Sequence, residues 1–339
     1  MEILWTRRVD GADSLAAVCA EAQRSLDLAG DLVRAVLIDG PDGQRLLLVI
    51  HHLVVDGVSW RILLDDLQSA CRQAAVGDAV RLPGRTTSFR DWNAHLHELV
   101  ALSPPRDELD RWCGELATAY PGLEPDTPAG SALLGDAASI DVALDPRLTR
   151  ELLTTAVAAY RTRPAELLLA ALARALCREL GIGSLMVEVE GHGRDTYAKG
   201  IDLSRTVGWL TSAWPVRLTP AAEPGETLLA IKEQLRAVPG SGAGFGVLRW
   251  LGDDATRERL VALASPRITF NYLGQLDGGS GEGALFHLAD EDVGPLADPR
   301  APLSNLLSID GGVQEGRLRL TWTFAEAQFA PGRIEVLAA

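Results

Sequence analysis

The spacing of apolar positions predicts helices over residues 13–26 and 60–75. In the first, Leu15, Val18, Cys19, Ala22 and Leu26 share a face; in the second, Trp60, Leu63, Leu64, Leu67 and Cys71 do so. A helix from Ser88 carries Phe89, Trp92, Leu96 and Leu99 on one side. Asp145 followed by Pro146 reads as a cap and a first helical position, opening a helix to about residue 160. Residues 164–180 are apolar almost all round and predict a buried helix, and 226–238 is helical as well. Strands are expected at 33–38, 46–50, 138–144, 185–190, 216–218, 268–274, 303–309 and 318–324. The first two flank Asp39-Gly40-Pro41-Asp42-Gly43 and suggest an antiparallel hairpin; the unbroken apolar run 46–50 reads as a strand covered on both faces.

Strands alternating with long helices indicate an α/β fold. At 339 residues the chain exceeds one ordinary core, so two lobes are expected. Pro104-Pro105 and the polar stretch 120–130 mark a connection, which divides the chain into residues 1–125 and 126–339. Residues 277–283 have the composition of a flexible linker. The 47% hydrophobic and 23% charged content is that of a soluble globular protein. The formal net charge of −14 repels phosphate backbones and argues against a nucleic-acid partner. No apolar run reaches the ~18 residues of a membrane span, and no cationic export signal is seen, so a cytoplasmic protein is expected. Cys19, Cys71, Cys113 and Cys177 are scattered without zinc-ligand spacing, consistent with reduced, buried thiols.

Candidate chemistry concentrates at His51-His52-Leu53-Val54-Val55-Asp56-Gly57. Two imidazoles stand where a strand ends, in a short turn that opens onto a helix capped by Asp56 or Ser59. His95 and His97 lie two apart on a helix, point in different directions and read as solvated surface. The glycines of residues 240–246 fit no phosphate-binding pattern and read as a tight turn.

Five blocks in order carry a family resemblance. His51 to Asp56-Gly57 is similar to the HHxxxDG core of the condensation-domain superfamily of nonribosomal peptide synthetases. Glu190-Gly191-His192-Gly193-Arg194-Asp195, Thr206-Val207-Gly208-Trp209-Leu210-Thr211-Ser212, Phe245-Gly246-Val247-Leu248-Arg249-Trp250-Leu251 and Phe270-Asn271-Tyr272-Leu273-Gly274-Gln275 resemble blocks of its epimerization branch. The resemblance implies two chloramphenicol-acetyltransferase-like lobes in a V, with a tunnel between them. The N-terminal lobe is expected to be incomplete, because the family's leading segment precedes the region matched by residues 2–10.

The implied reaction is inversion of the α-carbon of an aminoacyl or peptidyl residue, held as a thioester on a carrier protein's 4'-phosphopantetheine arm. The implied setting is secondary metabolism, antibiotic biosynthesis in particular. Neighbouring synthetase domains are the further partners, with no cofactor or metal of the chain's own. Two acid/base groups working from opposite faces of the carbon suit this reaction. By motif match these are His52 and Glu190, the glutamate needing its pKa raised by burial. Tyr272 is the candidate donor to the enolate-like oxygen. His51, Asp56, Gly57, Arg194 and Asn271 are expected to support the site, Gly57 through backbone geometry. Amide-bond condensation and a silent carrier-docking relative are the competing readings.

Overall fold

The computed structural model describes residues 3–102, 106–128, 130–195, 200–276 and 284–339. The chain forms two compact units. The first comprises Met1–Phe89, Leu203–Leu210 and Gly278–Pro299, and the second Arg90–Asp202, Thr211–Asp277 and Arg300–Ala339. The boundary expected near residue 125 therefore falls at Phe89, and two later segments return to the first unit. The reason lies in an unanticipated helix, whose Leu109, Trp112 and Leu116 are buried in the second unit's core. Pro104-Pro105 and residues 277–283 lie outside the described residues, apart from the linker's flanks.

In the first unit, β1 (Leu4–Arg8), α1 (Ala12–Arg24), β2 (Val33–Gly40), β3 (Gly43–Ile50) and α2 (Gly57–Ala75) follow in order. The sheet order is β1-β2-β3, with β1 parallel and β3 antiparallel to β2. α1 packs Ala22 on Val36 and Ile38 of β2 and on Val9, with Trp5, Leu15, Leu47 and Val49 around them. The hairpin is as expected, but the burial of its second arm is not. Among the described residues β3 pairs with β2 alone, and none of its positions is fully buried, so it is an edge strand rather than a doubly covered one. Periodicity does not reveal β1, because Leu-Trp-Thr-Arg-Arg is short and polar. Its Trp5 compensates by stacking on the buried Arg34, whose guanidinium lies 4.4 Å from the ring centroid.

The second unit holds α3 (Phe89–Leu102), but for its first residue, and α4 (Arg106–Leu116), followed by β4 (Ala137–Ala143). A helical stretch then runs through α5 (Pro146–Arg150), a π-helical segment (Glu151–Ala156) and α6 (Val157–Tyr160), followed by α7 (Pro164–Leu180). Asp145 caps α5 by accepting from the amides of Arg147 and Leu148, as its place before Pro146 implies. After β5 (Leu185–Gly191) and β6 (Ser212–Leu218) come α8 (Pro224–Arg236), α9 (Ala243–Leu251) and α10 (Asp254–Val261). The chain continues through β7 (Ile268–Gln275), β8 (Leu307–Gln314), β9 (Arg317–Ala325) and α11 (Pro331–Ala338).

The six strands form one sheet in the order β4-β9-β8-β7-β5-β6. β7 is parallel to both β5 and β8, and the other pairings are antiparallel. Strand alternation gives this sheet two unlike faces. Val187, Val189, Trp214, Val216, Phe270, Ile309 and Trp322 enter the core beneath α7 and α8, whereas Glu188, Glu190, Thr269, Asn271, Ser308 and Asp310 share the other face. Of the thiols, Cys19 and Cys177 are buried, but Cys71 and Cys113 are only half-buried. Among the described residues, no helix is long and apolar enough to cross a membrane.

Candidate active site

In the first unit, β3 ends at Ile50 and the chain turns through one 3-10 turn, His52–Val54. His51 shapes this turn: its Nδ1 accepts from the Leu53 amide at 3.2 Å. That occupies the first imidazole and leaves the second, exposed one to present itself. Asp56 is the cap of α2, and Ser59 is the residue it caps. One carboxylate oxygen of Asp56 accepts from the Ser59 amide and from its hydroxyl, both at 2.8 Å. The other oxygen accepts from the Leu210 amide at 3.0 Å. Ser59 Oγ in turn accepts from the Gly208 amide at 3.1 Å. The Asp-Gly-Val-Ser stretch thus starts a helix and also grips the distant segment 206–210. Gly57, the first residue of α2, is exposed and carries no left-handed φ, so it is open space rather than strained backbone that accepts glycine there.

The gripped segment is held from further sides. Thr206 Oγ1 donates to the Thr87 carbonyl at 2.6 Å, and Arg205 pairs with Asp66. A Cβ on Gly208 would lie 2.6 Å from the Phe89 ring, so only glycine lets the segment approach this closely. Between the two anchored amides stands Trp209. Its ring is 4.7 Å from that of His52, tilted by 59°. The Thr-Val-Gly-Trp block is visible in the sequence, but nothing there gives Trp209 a role of its own.

In the second unit, Glu190 stands at the end of β5 on the polar sheet face. Its carboxyl is raised to about 7, first by burial and then by the charges of Asp310 and Glu188. The neighbouring acids differ in their support. Glu188 accepts from Thr269 Oγ1 at 3.3 Å and Asn305 Nδ2 at 3.2 Å. Asp310 is raised by burial and partly restrained by a hydrogen bond from the Asn271 side chain. Glu188 shares Glu190's face by alternation along β5 itself, whereas only the register of β7 against β5 and β8 brings Asp310 there.

The same register separates two other candidates. Asn271 pairs with Asp310 and shares its face, whereas Tyr272 pairs with Gly311 on the opposite one. A Cβ on Gly311 would touch the Tyr272 ring at 3.4 Å, and Tyr272 packs with the hydrophobic core, burial raising its phenol pKa. Arg194 belongs to the turn after β5: its amide donates to His192 Nδ1 at 3.1 Å, and its guanidinium to the His192 carbonyl. His192 lies 3.6 Å from Asp195. Both glycines of this block are dictated by space or conformation. A Cβ on Gly191 would meet the Trp214 ring at 2.9 Å, and Gly193 has φ +62°. Of the loop expected at residues 240–246, only Gly240, Ser241 and Gly242 turn, all at positive φ with Gly242 against the Trp214 indole, whereas residues 243–246 already belong to α9. Among the described residues, no cluster of His, Cys, Asp and Glu could hold a metal ion.

The first unit thus carries a histidine pair at the end of a strand, and the second a carboxyl with its pKa raised on the polar face of a mixed sheet. The chain belongs to the condensation domain family, which it matches over residues 4–339. Chondramide synthase cmdD of Chondromyces crocatus is 39% identical to it over 324 residues, 93% of this chain and 8% of that protein. Bacitracin synthase 3 of Bacillus licheniformis is 38% identical over 277 residues, 80% of this chain and 4% of that protein. The chain thus spans less than a tenth of the length of these relatives. Among solved structures, the epimerization domain from the third module of tyrocidine synthetase B matches with a TM-score of 0.88 and 31% identity. That match covers 100% of this chain and 77% of the other.

Proposed function

We propose that the domain inverts the α-carbon of an aminoacyl or peptidyl residue tethered as a thioester to the phosphopantetheine arm of a carrier protein. The observation that carries this reading is Glu190, a carboxyl brought to about 7 by burial and two neighbouring acids. Near neutral pH such a group can both hold and release a proton, as a stereochemical inversion needs. His52 is the second group, an exposed imidazole at the end of β3. The likeness to an epimerization domain at 31% identity supports the choice of branch.

In this scheme one group removes the α-proton, and the C–H electron pair moves into an enolate on the thioester oxygen. The other group delivers a proton to the opposite face, the thioester is restored, and nothing is oxidised or reduced. Asn271 is the better-placed donor to the enolate: it shares Glu190's face, and its amide has a second N–H beyond the one given to Asp310. Tyr272 serves packing on the core side. The carrier protein and neighbouring synthetase domains are the partners this reading requires.

The test is α-hydrogen exchange and chirality analysis on a carrier loaded with an L-aminoacyl thioester in deuterated solvent. The expected result is deuterium incorporation and a mixture of L and D residues, abolished by His52→Ala and by Glu190→Gln in folded protein. The family match alone also allows amide-bond condensation. Amide formation with an added acceptor, without exchange, would establish that reading instead, and neither product would leave a carrier-docking role.

A further inference from the structure

We infer that Trp209 is a positioning residue for His52, and that Asp56 and Ser59 exist as much to hold Trp209 as to start α2. This rests on the reading of His52 as an acid/base group. His52 is exposed at a turn, where an imidazole on an ordinary backbone samples several rotamers. The contact that orders it is the Trp209 ring, 4.7 Å away and tilted by 59°. An aromatic ring can do this only if its own backbone is fixed, and this one is fixed on both sides. The Gly208 amide is bound by Ser59 and the Leu210 amide by the buried Asp56, residues that lie seven and four positions after His52. The catalytic turn and its aromatic buttress are therefore placed by one short stretch of chain.

The tilted face of the indole has a further chemical use. Its negative quadrupole favours a cation at its surface, so the imidazolium formed when His52 takes the α-proton is stabilised where it forms. Trp209 remains 45% exposed, so it borders the open side of the turn rather than the core. A purely structural aromatic would be expected to bury more of itself.

The experiment compares Trp209→Leu and Trp209→Phe in the full chain, using exchange kinetics on an aminoacyl-loaded carrier together with NMR of 13C-labelled histidine. Trp209→Leu is expected to lower kcat for exchange about tenfold with KM changed less than about twofold, the signature of misplaced chemistry rather than lost binding. Trp209→Phe, which keeps a π-face, should recover to within about threefold of the parent. The His52 ring protons should lose the ring-current shift of the indole in Trp209→Leu and regain part of one in Trp209→Phe. An unchanged kcat in Trp209→Leu, a Phe variant no better than Leu, or His52 resonances that do not move would each overturn the proposal. Absence of exchange in the parent chain would overturn the epimerase reading itself. Trp209 would then be judged on the His52 resonances alone, whose constancy in Trp209→Leu would sink it.

Discussion

Glu190→Gln should stabilise the protein, and only above mildly acidic pH. The parent carboxyl titrates near 7 in the fold, against 4.5 for an unperturbed glutamate. Between those two values the folded chain holds more protons than the unfolded one, so stability falls as pH rises and levels off above 7. At ~1.4 kcal/mol per pH unit, a rise from 4.5 to about 7 corresponds to roughly 3 kcal/mol. Partial exposure of the side chain makes that a ceiling. The amide mimics the protonated acid in shape and cannot ionise against Asp310 and Glu188. Urea unfolding followed by circular dichroism at intervals from about pH 4 to 8.5 reads the effect directly. The variant and parent should coincide near pH 4, and the variant should lead by about 1–3 kcal/mol at pH 8. Two curves separated by a constant gap would show that Glu190 ionises normally, and the acid/base reading of this residue would fall with it.

Asp310→Asn removes one of the two charges that raise Glu190, while keeping an acceptor for Asn271; the acid limb of the exchange-rate profile should move to lower pH, burial keeping it above the ordinary glutamate range. Tyr272→Phe should leave the exchange rate within about threefold of the parent, because the phenol stands on the core side of β7; a loss of two orders of magnitude would return it to the site. Gly242→Ala places a Cβ 1.9 Å from the Trp214 ring at a φ of +82°, and should lower stability by more than about 3 kcal/mol, seen as a drop in Tm.

Elements with strong periodicity are legible in the sequence: α7 spans residues 164–180 as its Leu/Ala pattern requires, and β4, β5 and β7 fall within a residue or so of expectation. Short or polar elements are not. α10 has little amphipathic character, α9 contains two glycines, and β1 ends in two arginines. β8 starts at Leu307 rather than 303, because the Leu303 amide is given to the Ala132 carbonyl before the strand begins. The β8–β9 hairpin closes through Glu315 and Gly316, both at positive φ, although Glu-Gly is not among the usual turn pairs. The site residues divide in the same way. Asp56 is legible as a cap because that interaction is local; its bond to Leu210 spans 154 residues and follows from tertiary structure alone. The facing of Asn271 and Tyr272 depends on strand register, which one-residue alternation reverses.

The return of residues 203–210 and 278–299 to the first unit bears on how the chain is made. Vectorial synthesis delivers β1 through α2 early, yet the partners of Asp56 and Ser59 emerge about 150 residues later. Until then Asp56 has no amide from Leu210 to meet, and that part of the first unit's polar grip is unmade. A fragment ending at Phe89 lacks those partners and is expected to be less soluble than the whole chain, which centrifugation of the two after expression checks.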